Sequence, residues 1–325
     1  MLVPLMKHLS AQGKLTVIGA SNYGGHEIFN GFETKLYDQF VVLDSSLDWI
    51  KHSASFRKSF DAVYIDYFGA TRKNLMLAHV IGKSVITNHI PRKLPLIFHK
   101  KIKRIKPLVG IHEGTQYMRF VNDGFTDNDL NASLFSLKAK SNNAFENLKK
   151  GYITLQPGCG NNAAPWKTWS LEKWKTVINE LAEKTDHTLV VLGDESEVEL
   201  SASLPQNDNV INLIGNTEIS DLPGIIDGAS LHIGHDSGLM HIAGCVNTPT
   251  ITVWGGSDPA LFGWQKIDRD HHKVLHKKLS CHPCNRWLSP NTSKVELPSM
   301  CPDFACLDQV SAEMLLNLVF EKLKD

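Results

Sequence analysis

Between Tyr152 and Trp254 four short apolar runs recur, YITL (152–155), TLVVL (188–192), SLHIG (230–234) and TITVW (250–254), with polar or helix-compatible stretches between them. Buried strands joined by helical crossovers point to a parallel sheet. The first crossover is explicit: Leu171, Trp174, Val177, Ile178 and Leu181 repeat at steps of three and four, behind Ser170 at the place of an N-cap. LTVI (15–18), FVVL (40–43) and DAVYI (61–65) repeat the alternation less regularly in the first half. The Asn-, Asp- and Ser-rich segment that starts at Asn122 reads as the joint between two lobes. The expected architecture is α/β, with one domain over residues 1–145 and a second over 146–325. The carboxy-terminal QVSAEMLLNLVFEKLKD carries a helical stripe able to pack on either domain.

Charge narrows the partners. The 34 basic and 34 acidic residues cancel, but residues 1–145 hold 19 Lys and Arg against 11 Asp and Glu, and residues 146–325 hold 15 against 23. A neutral total with no recognition motif argues against nucleic acid. The longest apolar runs fall short of the roughly 18 residues that span a bilayer. The opening MLVPLMKHLSAQGK meets Lys7 and His8 before a secretory core can form, so a cytoplasmic chain is expected. Residues 92–106 hold seven Lys and Arg and no acid, interleaved with Leu, Ile and Phe. This suits an anionic membrane face or an anionic acceptor, or it is a solvated basic loop.

SLHIGHDSGLMHIAG carries the chemistry. Strand, turn and helix follow one another here, and the first amides of such a helix have no helical partners and sit at the positive end of its dipole. Gly238 lets an anion approach without a Cβ in the way, Asp236 or Ser237 caps the helix, and His241 stands one turn in, able to donate to a phosphate oxygen. The loop LQPGCGNNAAPWKTWS follows the first strand of the same half and brings Asn162 and Lys167, the latter a candidate cation for a diphosphate. LGDESE ends the next strand with Asp194 and Glu195, a place where carboxylates bond ribose hydroxyls. Taken blandly, Asp236 is only a cap, His241 a core histidine, and Lys167 and the acids solvated.

Two look-alikes complete the reading. Residues 158–163 fit a dinucleotide G-x-G-x-x-A turn, although Pro165 and Trp166 delay the helix that should follow at once. Cys281, Cys284, Cys301 and Cys306 have spacing close to that of a structural zinc site, or are free thiols in a loop.

DSGLMHIAG, with PGCGNNAAPWKTWSLEKW some seventy residues upstream, resembles family 9 glycosyltransferases, the bacterial heptosyltransferases of lipopolysaccharide assembly and their autotransporter-modifying relatives. FDAVYIDYFGATRKNLMLAHVIGK and GIHEGTQYMRFVNDGF are similar to the family's acceptor lobe, more loosely. The resemblance implies a GT-B fold, two Rossmann-like lobes with parallel sheets and a central cleft. It implies inverting transfer of a sugar, a heptose from ADP-heptose, to an anionic glycolipid core or a protein acceptor, with no cofactor in catalysis. It places Lys167 and His241 on the diphosphate, Glu195 on the ribose, Asp236 on sugar or nucleotide, and Ser237 and Gly238 on the phosphates. The cysteines would then hold structural zinc or iron. One departure stands out: the family's first strand and its Gly-Asp loop are missing ahead of VPLMKHLSAQG, leaving Asp66 as the available substitute for the base. A nucleotide-sugar-binding protein without catalysis, and an NAD(P)-dependent dehydrogenase using the 158–163 turn, are the competing readings.

Overall fold

The structure, a computed structural model, describes residues 1–19, 26–67, 69–141, 145, 147–159, 167–282 and 304–324. It divides into two compact units. Met1–His26 and Lys35–Leu130 belong to the first, and Glu27–Thr34 with the described residues from Asn131 onward to the second.

Five strands of the first unit are β1 (Thr16–Gly19), β2 (Gln39–Val42), β3 (Phe60–Ile65), β4 (Gly82–Thr87) and β5 (Ile102–Arg104). All pair in parallel, but in two separate sheets, β1–β2 and β3–β4–β5. β1 and β3 both line an apolar cavity of about 430 Å³, closed also by Leu5 and Leu9 of helix Val3–Gln12 and by Leu77 and Ile81 of helix Arg72–Ile81. The second of these helices starts where Thr71 accepts the Asn74 amide, and it buries Leu75, Leu77, Ala78 and Ile81 along one stripe.

The second unit carries β6 (Tyr152–Leu155), β7 (Leu189–Val191), β8 (Val210–Asn212), β9 (Ala229–His235), β10 (Thr250–Val253) and β11 (His272–Leu275) in one parallel sheet, ordered β11-β10-β9-β6-β7-β8. Ile153, Leu155, Val191, Ile233, Ile251 and Val253 are inaccessible to solvent. Strands buried on both faces read as apolar runs, and this is why the sequence marks β6 and β10 to within a residue. Helix Leu171–Lys184 covers one face through Trp174, Val177, Ile178 and Leu181, each fully buried and worth about 1.5–3 kcal/mol per aliphatic side chain. Helix Ala312–Lys322 lies beside it, capped by Ser311 and anchored by Leu315 and Val319, so the carboxy-terminal stripe packs on this unit.

The observed division falls at 130/131 rather than 145/146. The segment after Asn131 is polar in composition, yet Phe135, Leu137 and Ala139 alternate with polar neighbours and are buried. Phe135 meets the Trp264 ring edge-on at 5.0 Å, and the Leu137 amide donates to the Cys245 carbonyl at 2.7 Å. Phe32 pairs with Ala139 in an antiparallel bridge, which attaches Glu27–Thr34 to the same unit.

Candidate active site

In the second sheet the strand order reverses between β6 and β9, and ligands of open parallel sheets bind beyond the carboxyl ends of strands at such a switch point. The two loops that leave these strands are the ones that carry Lys167 and Asp236–Gly238. β9 runs through His235, one residue past the expected Gly234, and helix Gly238–Cys245 starts with Ser237 at the N-cap position.

Neither expected cap forms. The Ser237 hydroxyl turns away to donate to Gln156 Oε1, and no side chain caps the helix. Asp236 is 7% exposed; its Oδ2 accepts from the Lys167 ammonium at 2.8 Å and from the Ser257 hydroxyl of the loop after β10. Lys167 also donates to the Asp236 carbonyl at 3.2 Å. The first-turn amides are thus left without a side-chain acceptor, and a Cβ built on Gly238 would meet nothing within 4 Å. A half-buried cation stands beside an uncapped helix start that is open at Gly238, an arrangement that favours an anionic group.

His241 is half-buried, and its Nδ1 accepts from the Trp264 indole at 3.1 Å. An indole nitrogen only donates, so Nδ1 is the accepting nitrogen and the proton of the neutral imidazole resides on Nε2. Gly244 makes this possible: a Cβ there would overlap the Trp264 ring.

His235, which the sequence reading passed over, ties the site together. Its Nε2 accepts from the Trp169 amide at 3.1 Å and from the Trp174 indole at 3.3 Å, and its other nitrogen faces Cys159 Sγ at 3.8 Å and bonds the Gly158 backbone. Burial is the main cause holding it down at about 4, so it stays neutral and staples the loop after β6 to the end of β9. Burial likewise raises the Cys159 thiol, which is therefore no ready thiolate.

Glu195 is exposed, at the first position of a 3-10 turn. Glu197 is the carboxylate that turns inward: it accepts the Asp194 amide at 3.0 Å and lies against Gly158, whose missing Cβ leaves the room. Of the remaining site candidates, Asn162 lies outside the described residues, as do residues 160–163 of the dinucleotide-like turn. Cys284 and Cys301 also lie outside them; Cys281 is exposed, Cys306 is buried, and neither is in a disulfide. Among the described residues no group of three His, Cys, Asp or Glu is placed to hold a metal. Asp66 belongs to the first unit, where its Oδ1 accepts the Gly69 amide at 2.7 Å as a strand-end cap and its Oδ2 accepts the Tyr117 hydroxyl at 3.0 Å.

Residues 121–294 match the family described as Glycosyltransferase family 9 (heptosyltransferase), a little over half of the chain. Lipopolysaccharide heptosyltransferase 3 of Escherichia coli K12 is 30% identical over 115 residues, 34% of this chain. That match spans only a third of the relative's own length (33%). Among solved structures, E. coli ADP-heptose lps heptosyltransferase II superposes with a TM-score of 0.71 at 14% identity, covering 99% of this chain and 93% of that one. E. coli heptosyltransferase WaaC with ADP-2-deoxy-2-fluoro heptose gives a TM-score of 0.66 at 15% identity over 98% and 94%. These similarities establish the fold as that of the heptosyltransferase structures, and with the family match they place the chain in glycosyltransferase family 9.

Proposed function

We propose that the protein is an inverting glycosyltransferase whose second unit binds a nucleotide-diphosphate sugar, ADP-heptose or a close analogue, and transfers the sugar to a hydroxyl of an anionic glycolipid core. The observation that carries this reading is the meeting of Lys167, Asp236 and the uncapped amides at Gly238 around open space. The diphosphate lies on those amides, with Lys167 and the His241 Nε2 proton offsetting the charge that grows on it as the anomeric bond breaks. Glu197, rather than Glu195, accepts from the ribose hydroxyls, because it is the carboxylate facing the loop after β6. The choice of ADP-heptose is supported by the relatives being heptosyltransferases and by the ADP-2-deoxy-2-fluoro heptose in the WaaC structure.

Binding separates this reading from its competitors. Thermal unfolding with ADP, ADP-heptose, UDP and NAD should show a shift with the first two alone; stabilisation by NAD would favour the dehydrogenase. A chain that binds ADP-heptose and never releases ADP in the presence of heptose-deficient lipopolysaccharide is the catalytically silent binder instead.

The cytoplasm is the proposed compartment, with the basic stretch of the first unit resting on anionic lipid. Leu96 is 81% exposed and Ile97 73% exposed, next to Lys100 and Lys101 in the turn Leu96–Lys101. No described helix is long and apolar enough to cross a membrane. Four cysteines, Cys281, Cys284, Cys301 and Cys306, are the proposed ligands of a structural zinc or iron, to be checked by metal analysis of the purified protein.

A further inference from the structure

Helix Gly238–Cys245 has no cap, although the residue placed to supply one is a serine. Ser237 has the extended backbone of an N-cap, φ −148° and ψ 177°. Hydroxyl residues in that position do cap elsewhere in this chain: Ser45 accepts from the Asp48 amide, Thr71 from the Asn74 amide and Ser311 from the Met314 amide, each at 3.2 Å. The Ser237 backbone is therefore fit for capping, and a turn about its Cα–Cβ bond is what separates its oxygen from the Met240 amide.

Gln156 holds the hydroxyl off. It follows β6, and its amide donates to the Ile233 carbonyl at 2.9 Å, which carries the β6–β9 pairing one step past the end of β6 and fixes Gln156 at the switch point of the sheet. Its side chain is 5% exposed and lies over Gly234, where a Cβ would stand 3.3 Å from Gln156 Cβ and 3.4 Å from Oε1. Packed in this way, Oε1 accepts the Ser237 hydroxyl. A serine turned toward Gln156 cannot also reach the helix start, so the two hydrogen bonds compete for one side chain, and they are of similar strength.

We propose that Gln156 is a positioning residue of the nucleotide site, which holds the Ser237 hydroxyl away so that the amides of Gly238, Leu239 and Met240 stay bare for the diphosphate. This rests on the glycosyltransferase reading above. A capped helix start would make the ligand break a hydrogen bond within the protein before forming its own, and the buried glutamine removes that cost in advance. The chain forgoes a cap here and keeps the dipole end for the anion. Lys167, held by Asp236 beside the same turn, supplies the cation.

Because Gln156 acts through Ser237, the test reads the dependence of one on the other. Isothermal titration with ADP is carried out on the wild type, Gln156→Met, Ser237→Ala and the double variant. Methionine fills a similar space without an acceptor oxygen and frees Ser237 to cap, so Gln156→Met should bind ADP about fivefold more weakly. On the Ser237→Ala background no hydroxyl is left to cap, and the same replacement should change ADP affinity by less than about twofold. Without ligand, the Leu239 and Met240 amides should exchange hydrogen roughly fivefold more slowly in Gln156→Met than in the wild type. Its Tm should stay within about 2 °C, since one hydrogen bond replaces another.

A glutamine that only braces the loop gives the opposite pattern: a lower Tm, faster exchange, and the same loss of affinity with or without the Ser237 hydroxyl. That pattern, or unchanged ADP affinity in Gln156→Met, overturns the assignment and leaves the transferase reading standing. A wild type that binds no ADP overturns both. Where Gln156→Met fails to fold, the wild type decides: fast exchange at Met240 that ADP slows supports the proposal, and a Met240 amide already protected in the free protein overturns it.

Discussion

Replacing Lys167 with Ala tests the nucleotide site on two scales at once. The ammonium is 2.8 Å from Asp236 Oδ2, and the carboxylate is left with the Ser257 hydroxyl when the ammonium goes. Orphaning a fully buried charge costs about 3–5 kcal/mol, and an exposed pair is worth about 0–1. The Lys167 side chain is 27% exposed while that of Asp236 is 8%, so water reaches one side of the vacated position and the expected loss is about 2 kcal/mol. For a unit of this size that is roughly 4–8 °C in Tm. Ligand binding is affected separately. A full charge about 4 Å from a diphosphate at an effective dielectric near 20 contributes about 4 kcal/mol. Part of this, about 2 kcal/mol, is already engaged by Asp236 and must be given up, so the variant should bind ADP about thirtyfold more weakly. Calorimetric unfolding and isothermal titration with ADP measure the two quantities. Adding Asp236→Asn removes the orphaned charge, so the double variant should recover part of the stability and none of the affinity. Unchanged ADP affinity, or no recovery in the double variant, would refute the claim that this ion pair stands at the diphosphate.

Further consequences follow from the same geometry. Gly158→Ala should fold with a loss of under about 1 kcal/mol, because the overlapping atom is the movable end of Glu197, yet weaken ADP binding about tenfold by turning that carboxylate out; titration calorimetry measures it. Gly244→Ala meets the rigid, buried Trp264 ring instead and should cost about 2–3 kcal/mol in denaturant unfolding. Acid should unfold the second unit early. Burial lowers His235 and His272 to about 4 and His232 to about 3, while the unfolded chain takes up these protons near 6.5. The stability of each is therefore complete above about pH 6.5 and lost as pH falls toward about 4, on the order of 3 kcal/mol per residue, so Tm measured against pH should fall steeply in that window and a flat profile would contradict the burial. Vesicles containing phosphatidylglycerol should retain the protein and neutral phosphatidylcholine vesicles should not, with retention lost on replacing Lys100, Lys101 and Lys103 by Gln in a flotation assay.

The strands visible in the sequence are runs dense in aliphatic residues, in half-buried β1 and β3 as much as in buried β6 and β10, and in β9 despite His232 and His235. β4, β8 and β11 are short of such residues, diluted by Lys83, Asn212 and His272 with Lys273, although they complete their sheets by the same backbone pairing. The joint was placed too late because composition conceals alternation: the segment holding Phe135, Leu137 and Ala139 is polar on average and apolar at every second position. That Lys167, Asp236 and Gly238 stand together was legible from residue type and spacing, since a strand followed by a small-residue turn and a helix leaves few ways to arrange its amides. For the ribose carboxylate the sequence points to Glu195, which is exposed, while Glu197, two residues on, is the one that turns inward. Asp194 and Glu197 have capping-box spacing, and in that motif the residue at the third helical position folds back toward the chain while the first splays outward. Applied to LGDESE, the rule selects Glu197 over Glu195.

His241 shows how packing reaches into function where motif reading stops. The sequence HIAG identifies a histidine one turn into the helix, but not which of its nitrogens carries the proton. That is decided by Gly244, three residues on, whose missing side chain lets Trp264 lie on the helix and present its indole N–H to Nδ1. Phe135 meets the same ring edge-on at 5.0 Å, from a segment whose polar composition reads as a joint. A donor set on Nε2 in advance needs no reorganisation when negative charge appears on the departing diphosphate, and this is the condition under which a hydrogen bond lowers a barrier rather than merely binding the ground state. On the proposed function the glycine and the tryptophan bear on the transfer through one proton position, and neither needs to touch the sugar to do so.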